Sequence, residues 1–325
     1  MKQPHVSHFY DEPSGSMQYL VSCDRTGRCA IIDPVLDFDR VACATSTGWA
    51  DEILREVEDR DLTVEWILDT HPHADHFSAA AYLKSRTGAA VATGARVVDV
   101  QALWRDIYNL PASFACDGSQ WDHLFADGET FRLGDLDVEV VHSPGHTLSS
   151  ITFLIGGAAF VHDTLFMPDG GTARADFPGG DAGALWESIR RILALPDETR
   201  LFTGHDYRPS GRPPLCVSTV REQRETNGHL LAAKSRSEFV QFREERDREL
   251  PLPDLMLHAL QVNLNGAHLP DPETNGKAYL KLPLDVFRCR TGSDVHRVGT
   301  PNGHPPSGRS RSAGWTPEPH RRREP

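Results

Sequence analysis

The sequence predicts a mixed α/β fold built as a layered sandwich, with helices outside and sheets inside. Three observations carry this. Apolar runs alternate with helical patterns, the middle of the chain is strand-rich with Gly-containing turns, and histidines and aspartates recur where apolar runs end. With 325 residues, 39% of them hydrophobic, the chain can bury a sizeable core.

The elements follow in order. MQYLVSC (17–23) and CAIIDPV (29–35) flank DRTGR and read as a hairpin, two short apolar strands around a turn with glycine. WADEILREVEDRD (49–61) reads as a helix because Ile53, Leu54 and Val57 share one face. VEWILDT (64–70) is a strand, SAAAYLKSRTG (78–88) a helix and AAVATG (89–94) a short strand, a βαβ pattern whose crossover lays a helix over the sheet. The stretch on to Gly118 reads as less regular. ETFRLG, LDVEVVH, SITFLI and AAFVHD (129–163) are four strands whose tight turns favour antiparallel pairing. GALWESIRRILAL (183–195) and TRLFTG (199–204) repeat the helix–strand theme. From about Val217 to Glu249 the pattern is helical and charged, and 257–287 reads as irregular structure, together a cap over the site.

The segment from Arg288 onward is rich in Pro, Gly, Ser and Arg and poor in aliphatics, and reads as a disordered basic tail over 288–325. It holds eight Arg against Asp294, Glu318 and Glu324, a net of +5 within the overall −12, so residues 1–287 carry −17. That balance argues against nucleic acid or an anionic membrane as partner. Six cysteines (Cys23, Cys29, Cys43, Cys116, Cys216 and Cys289) form no CxxC pair or disulfide-framework spacing, which suits a reducing compartment and argues against cysteine-bound zinc. With no apolar run long enough for a membrane span and no signal-like start, the expected location is the cytoplasm.

His71, His73, Asp75 and His76 form H-x-H-x-D-H at a strand-to-helix turn, and His146, Asp163 and His205 each follow an apolar run. In a sheet sandwich, strand ends gather at one edge, so these residues can converge there, and imidazole with carboxylate is the ligand set of zinc, iron or manganese. Other roles stay open at this point. Asp75 can cap a helix beginning near Phe77, Pro144 and Gly145 can mark a tight turn, and His73, Asp75, His142 and His162 can be hydrogen-bonders that orient a ligand.

THPHADH, PGHT, HDTLF and GHDY, in this order within about Gln18 to Phe287, resemble the metallo-β-lactamase superfamily. The resemblance implies a four-layer αββα sandwich over residues 1–287, with one or two metals at its edge. A first site would use His71, His73, His146 and Asp163; a second would use Asp75, His76, His205 and the shared Asp163. DGGTARADFPGGD, GHDY and LPDPETNGKAYLKLPL are further similar to the persulfide dioxygenases. That branch implies one Fe(II) held by His71, His146 and Asp163, with Arg174 and Tyr207 near a thiol substrate and Tyr207 and Asp75 as catalytic candidates. Its implied reaction is oxidation of glutathione persulfide by O₂ to sulfite and glutathione. Two imidazoles and one carboxylate also make the facial triad associated with non-haem Fe(II). Ala173 and Ala175 flank Arg174, so side-chain contacts that relatives use there are absent. The main alternative is a glyoxalase II type hydrolase of glutathione thioesters with two zinc ions, for which every second-site residue is present. A homodimer stays open.

Overall fold

Two six-stranded sheets lie between helices, and this computed structural model describes residues 3–287; the basic tail expected over 288–325 lies outside the described residues. The described residues up to 286 form one compact unit. In chain order the first elements are β1 (His5–Asp11), β2 (Ser16–Cys23), β3 (Arg28–Ile32), β4 (Val35–Asp39), β5 (Ala44–Ser46) and α1 (Gly48–Asp59). Next come β6 (Thr63–Leu68), β7 (Phe77–Ser78), α2 (Ala80–Thr87), β8 (Ala90–Gly94), α3 (Val97–Tyr108) and β9 (His123–Phe125). The second half contributes β10 (Thr130–Leu133), β11 (Leu136–His142), β12 (Ile151–Ile155), β13 (Ala158–His162), α4 (Ala182–Leu193), β14 (Arg200–Thr203) and β15 (Val217–Thr219). Four helices close the order: α5 (Val220–Thr226), α6 (Gly228–Ala232), α7 (Arg236–Asp247) and α8 (Met256–Asn263).

The first sheet has the order β1-β2-β3-β6-β8-β9 and the second β10-β11-β12-β13-β14-β15; β4, β5 and β7 form a small third sheet. Strand alternation builds the layers, since successive side chains point to opposite faces. In β3, Ala30 and Ile32 face the space between the sheets while Cys29 and Ile31 face outward, against Ile53 and Val57 of α1 and Leu83 of α2. In β13, Phe160 faces inward and Ala159 and Val161 outward, against Leu185 and Ile189 of α4 and Phe239 of α7. Inner strands such as β2, β3 and β13 are covered on both faces, which is why they read as continuous apolar runs, whereas β11 alternates buried and exposed residues. The result is the four-layer αββα sandwich.

Most elements fall where the sequence puts them, including the β2–β3 hairpin, the parallel β6–β8 pair around α2 and the antiparallel run β10 to β13. β1, β4, β5 and β9 lie in stretches to which the sequence assigns no strand, and three further regions differ from their assignment. α3 lies in the stretch expected to be less regular; Val97, Val100 and Trp104 give it a buried face, but the flanking polar residues weaken the pattern. α8 lies inside the stretch 257–287 expected to be irregular, where it is short and apolar around most of its surface, so no helical period stands out. Val217–Thr219, assigned to a helical stretch, instead pairs with β14 before α5 begins under a Thr219–Glu222 capping box. Among the described residues, no helix is long and apolar enough to cross a membrane.

Candidate metal centre

Topology brings the ligand-type residues together. β13 and β14 run parallel, and β11 runs the same way two strands along, so Asp163, His205 and the β11–β12 loop with His146 share one sheet edge. β3 and β6 are parallel in the other sheet and deliver Asp33, Asp69 and His71 to the same rim. Backbone hydrogen bonds tie the sheets there, from Met17 N to Gly204 O at 2.8 Å and from Ile151 N to Thr70 O at 3.0 Å. A bulge in β13 and a positive φ of 41° at His162 turn the chain so that Asp163 faces this rim. Glycine is required beside it, because a Cβ at Gly204 would lie 2.6 Å from Asp163 Oδ1.

His71, His146 and Asp163 form a buried group whose ligand atoms all lie within 4.8 Å of one another. Their tautomers follow from their partners. His146 Nδ1 lies 2.9 Å from the Arg174 carbonyl, which only accepts, so Nδ1 carries the proton and Nε2 is left with its lone pair, 3.6 Å from Asp163 Oδ2. Asp33 accepts the Thr70 hydroxyl at 2.8 Å, so Thr70 Oγ1 in turn accepts from His71 Nδ1 at 3.0 Å. That leaves the His71 Nε2 lone pair buried without a protein partner. Burial and the neighbouring imidazoles hold His71 well below the ordinary histidine range, and burial also lowers His146, so both rings are neutral.

A second group, His73, Asp75 and His76, likewise has its ligand atoms within 4.8 Å of one another. His76 Nδ1 donates to the Phe77 carbonyl at 3.0 Å, so its Nε2 also presents a lone pair. His205 spans the groups: Nδ1 is 2.5 Å from Asp163 Oδ1 and Nε2 is 2.7 Å from Asp75 Oδ2. Burial opposes its charge, but Asp163 and Asp75 outweigh that and raise it well above the ordinary histidine range in the metal-free chain. Ser16 donates to the same Asp75 oxygen at 2.7 Å.

His73, expected in the first site, stacks near His71 with ring centroids 4.2 Å apart, but its Nε2 is turned to Asp33 Oδ1 at 3.0 Å, an ion-pair contact rather than an aligned hydrogen bond. Burial pushes His73 down, yet Asp33, Asp75 and Asp69 raise it to about 9. Asp75 caps no helix, since α2 begins after Ala79 without a side-chain cap. His142 donates away from the site, to Leu148 O at 2.9 Å. His162 is buried among the Ser143 and Thr164 hydroxyls at 3.0 Å each, and burial lowers it to about 3. Gly145 does more than turn the chain. With φ at 133° and a Cβ position 2.2 Å from Leu185 N, it lets α4 press against the His146 loop.

The centre opens into a cleft of about 830 Å³ lined by Asp75, His146, Asp163, Phe177, Tyr207 and Arg246, among others. Tyr207 is 62% exposed and its ring stacks on His205 at 5.5 Å. Arg174 lines the cleft, but its guanidinium is held by Asp176 at 2.7 and 2.9 Å and donates to Pro251 O at 2.6 Å; it also covers the Phe177 ring at 4.5 Å. Arg40, Arg243 and Arg246 line the same cleft.

The donor set suits a metal. Buried imidazole nitrogens with no partner are costly unless something accepts their lone pairs, and His71 and His76 each present one to the rim beside Asp163 and Asp75. Comparison with known proteins agrees. The profile of the metallo-beta-lactamase superfamily matches residues 12–205. The chain belongs to the metallo-β-lactamase superfamily.

Among its superfamily relatives, the beta-lactamase hydrolase-like protein of Xylella fastidiosa is 63% identical over 287 residues, 88% of this chain and 66% of that protein. This chain thus spans somewhat under two thirds of that relative's length. Glyoxylase B2 of Dictyostelium discoideum is 41% identical over 87% of this chain and 98% of its own. Human mitochondrial persulfide dioxygenase ETHE1 is 28% identical over 80% of this chain and 87% of its own. The crystal structure of ETHE1 from Myxococcus xanthus superposes with a TM-score of 0.65 at 31% identity, covering 81% of this chain and 100% of that one. The two ETHE1 matches support a likeness to the persulfide dioxygenase branch.

The metallo-β-lactamase motif residues were legible in the sequence, but their supports were not. Asp33 ends an apolar strand just as Asp163 does, a signal that was available in CAIIDPV. Ser16, Thr70 and Asn263 carry no comparable local pattern.

Proposed function

We propose that the chain is a mononuclear non-haem Fe(II) dioxygenase that oxidises glutathione persulfide, or a similar small persulfide, to sulfite. One observation carries the reading. One buried group brings two imidazoles and one carboxylate together, His71, His146 and Asp163, while His73 is turned to Asp33 and His205 lies between Asp163 and Asp75. That set is the facial triad of non-haem iron. The relatives named persulfide dioxygenase, and the 31% identical ETHE1 structure, support the same choice.

The overall reaction balances as glutathione persulfide plus O₂ plus water giving glutathione and sulfurous acid. Bound iron would supply the redox chemistry toward O₂ and a Lewis-acidic seat for the sulfur anion. The protein's own residues do the rest. The Thr70 hydroxyl, accepting from His71 Nδ1, and the Arg174 carbonyl, accepting from His146 Nδ1, keep the two Nε2 lone pairs on the rim. His205 balances the charge of Asp75 and Asp163, so the centre is not flooded with negative charge that would repel an anionic substrate. Tyr207 places its hydroxyl at the mouth, where it can donate to the bound sulfur species. Arg174, fixed by Asp176, shapes the wall, and Arg40 and Arg246 add positive charge for a glutathione carboxylate. Catalysis is assigned to residues 1–287, with the portion from about 217 as a cap.

The second reading is a dinuclear zinc hydrolase of glutathione thioesters, favoured by the intact Asp75, His76 and His205 set and by the 41% identity to glyoxylase B2. One experiment separates them. The metal-free chain is reconstituted without oxygen, its iron and zinc are counted, and O₂ uptake with glutathione persulfide is followed beside hydrolysis of lactoylglutathione. One iron per chain with O₂ uptake supports the proposal; two zincs with thioester cleavage and no O₂ uptake overturn it.

A further inference from the structure

We infer that Asn263 is a positioning residue for the metal centre, a clasp from the C-terminal helices that sets the backbone of the H-x-H-x-D-H loop. The inference rests on the reading of that loop as metal-ligating. Asn263 ends α8, outside the residues matched by the superfamily profile, and is 4% exposed. Its amide donates both hydrogens into the loop, to the His73 and His76 carbonyls at 2.8 Å each, and its oxygen accepts the Ser78 N–H at 2.8 Å. One planar group therefore satisfies three backbone groups within six residues of chain. Two of them belong to residues whose rings lie in the His73, Asp75, His76 group.

The loop runs irregularly from Asp69 to His76, so those carbonyls have no sheet ladder to join. The clasp itself is anchored. Ala259 and Val262 of α8 sit in the outer core against the first sheet, Gln101 Nε2 donates to Leu264 O at 2.9 Å, and Tyr108 donates to Leu257 O at 3.0 Å. A side chain held this firmly fixes the backbone of the loop that carries His71, and outer contacts of this kind commonly tune metal affinity by about 10–100-fold.

The test compares wild type with Asn263→Asp, which keeps the acceptor for Ser78 but aims lone pairs at two carbonyls, and with Asn263→Ser, which keeps one donor. Zinc is titrated into each metal-free protein against a chelating dye, amide exchange over 70–79 is measured by mass spectrometry, and Tm is recorded. The expected result is a zinc affinity at least tenfold weaker for Asn263→Asp, faster loop exchange, and an intermediate Asn263→Ser. If Asn263→Asp does not fold, Asn263→Ser decides by the same two readouts. A folded variant with a lower Tm but wild-type zinc affinity and loop exchange would overturn the clasp and leave a merely structural asparagine. A wild-type chain that takes up no zinc would instead refute the metal centre itself.

Discussion

Replacing Asp33 by Asn should weaken metal binding by reversing a hydrogen-bond chain, although Asp33 is not among the first triad. Asp33 sits at φ 51°, a conformation asparagine tolerates, so the backbone cost is small. In the wild type the Thr70 N–H lies 2.7 Å from Oδ1 and the Thr70 hydroxyl 2.8 Å from Oδ2, which forces Thr70 to accept from His71 Nδ1. In the Asp33→Asn variant, the amide oxygen takes the Thr70 N–H and the amide nitrogen must donate to Thr70 Oγ1. The hydroxyl then donates to His71 Nδ1, and the ring proton moves to Nε2, where it blocks the lone pair. Restoring that lone pair loses one hydrogen bond and leaves a buried donor unsatisfied, about 2–3 kcal/mol together. At about 1.36 kcal/mol per decade this is roughly a 30- to 150-fold loss of metal affinity. Chelator competition measures the affinity, and nitrogen-15 NMR of the metal-free protein reports the His71 tautomer. Wild-type affinity with the proton still on Nδ1 would refute the chain of bonds.

Four further outcomes are expected. Gly145→Ala places a methyl 2.2 Å from Leu185 N at a φ of 133°, so urea denaturation should show a loss on the order of 3 kcal/mol, with His146 displaced and metal content reduced. Phe160→Ala removes a buried ring stacked on Phe202 at 4.9 Å between the sheets and should cost about 4 kcal/mol by the same measurement, with metal stoichiometry unchanged in the folded fraction. His229 accepts the Thr172 N–H at 2.9 Å and burial, with Arg243 and Arg246, lowers it to about 4, so the unfolded chain takes up the proton first. The His229 contribution to stability should therefore be lost as pH drops from about 6.5 to about 4, and His229→Asn, which keeps an acceptor, should make that part of a denaturation-midpoint profile less steep than in the wild type. Tyr207→Phe keeps the stack on His205 but not the hydroxyl, so steady-state kinetics should show kcat/KM down about tenfold at wild-type metal content.

What the sequence made legible was whatever its local periods could encode. β3 and β13 read as strands because burial on both faces makes each a continuous apolar run, and His71, Asp163 and His205 stood out because polar residues follow such runs directly. The resemblance of those motifs to a known superfamily then supplied the four-layer arrangement. The short apolar helix α8 was missed because a helix buried on most sides has no polar face to mark its period. The posture of His73 was missed because it depends on Asp33, far earlier in the chain, which only strand pairing brings within 3.0 Å. Arg174 was legible as a cleft residue through the resemblance, but its donation to the Pro251 carbonyl is set by a loop 77 positions away.

Everything proposed for the chain depends on a single cation gripped by His71, His146 and Asp163. Crystals of anaerobically iron-loaded protein, with diffraction recorded on both sides of the iron absorption edge, test it most directly. The expected result is one anomalous peak at about 2.1 Å from His71 Nε2, His146 Nε2 and an Asp163 carboxylate oxygen. Two peaks of equal height, or one centred on His73, Asp75 and His76, would contradict it.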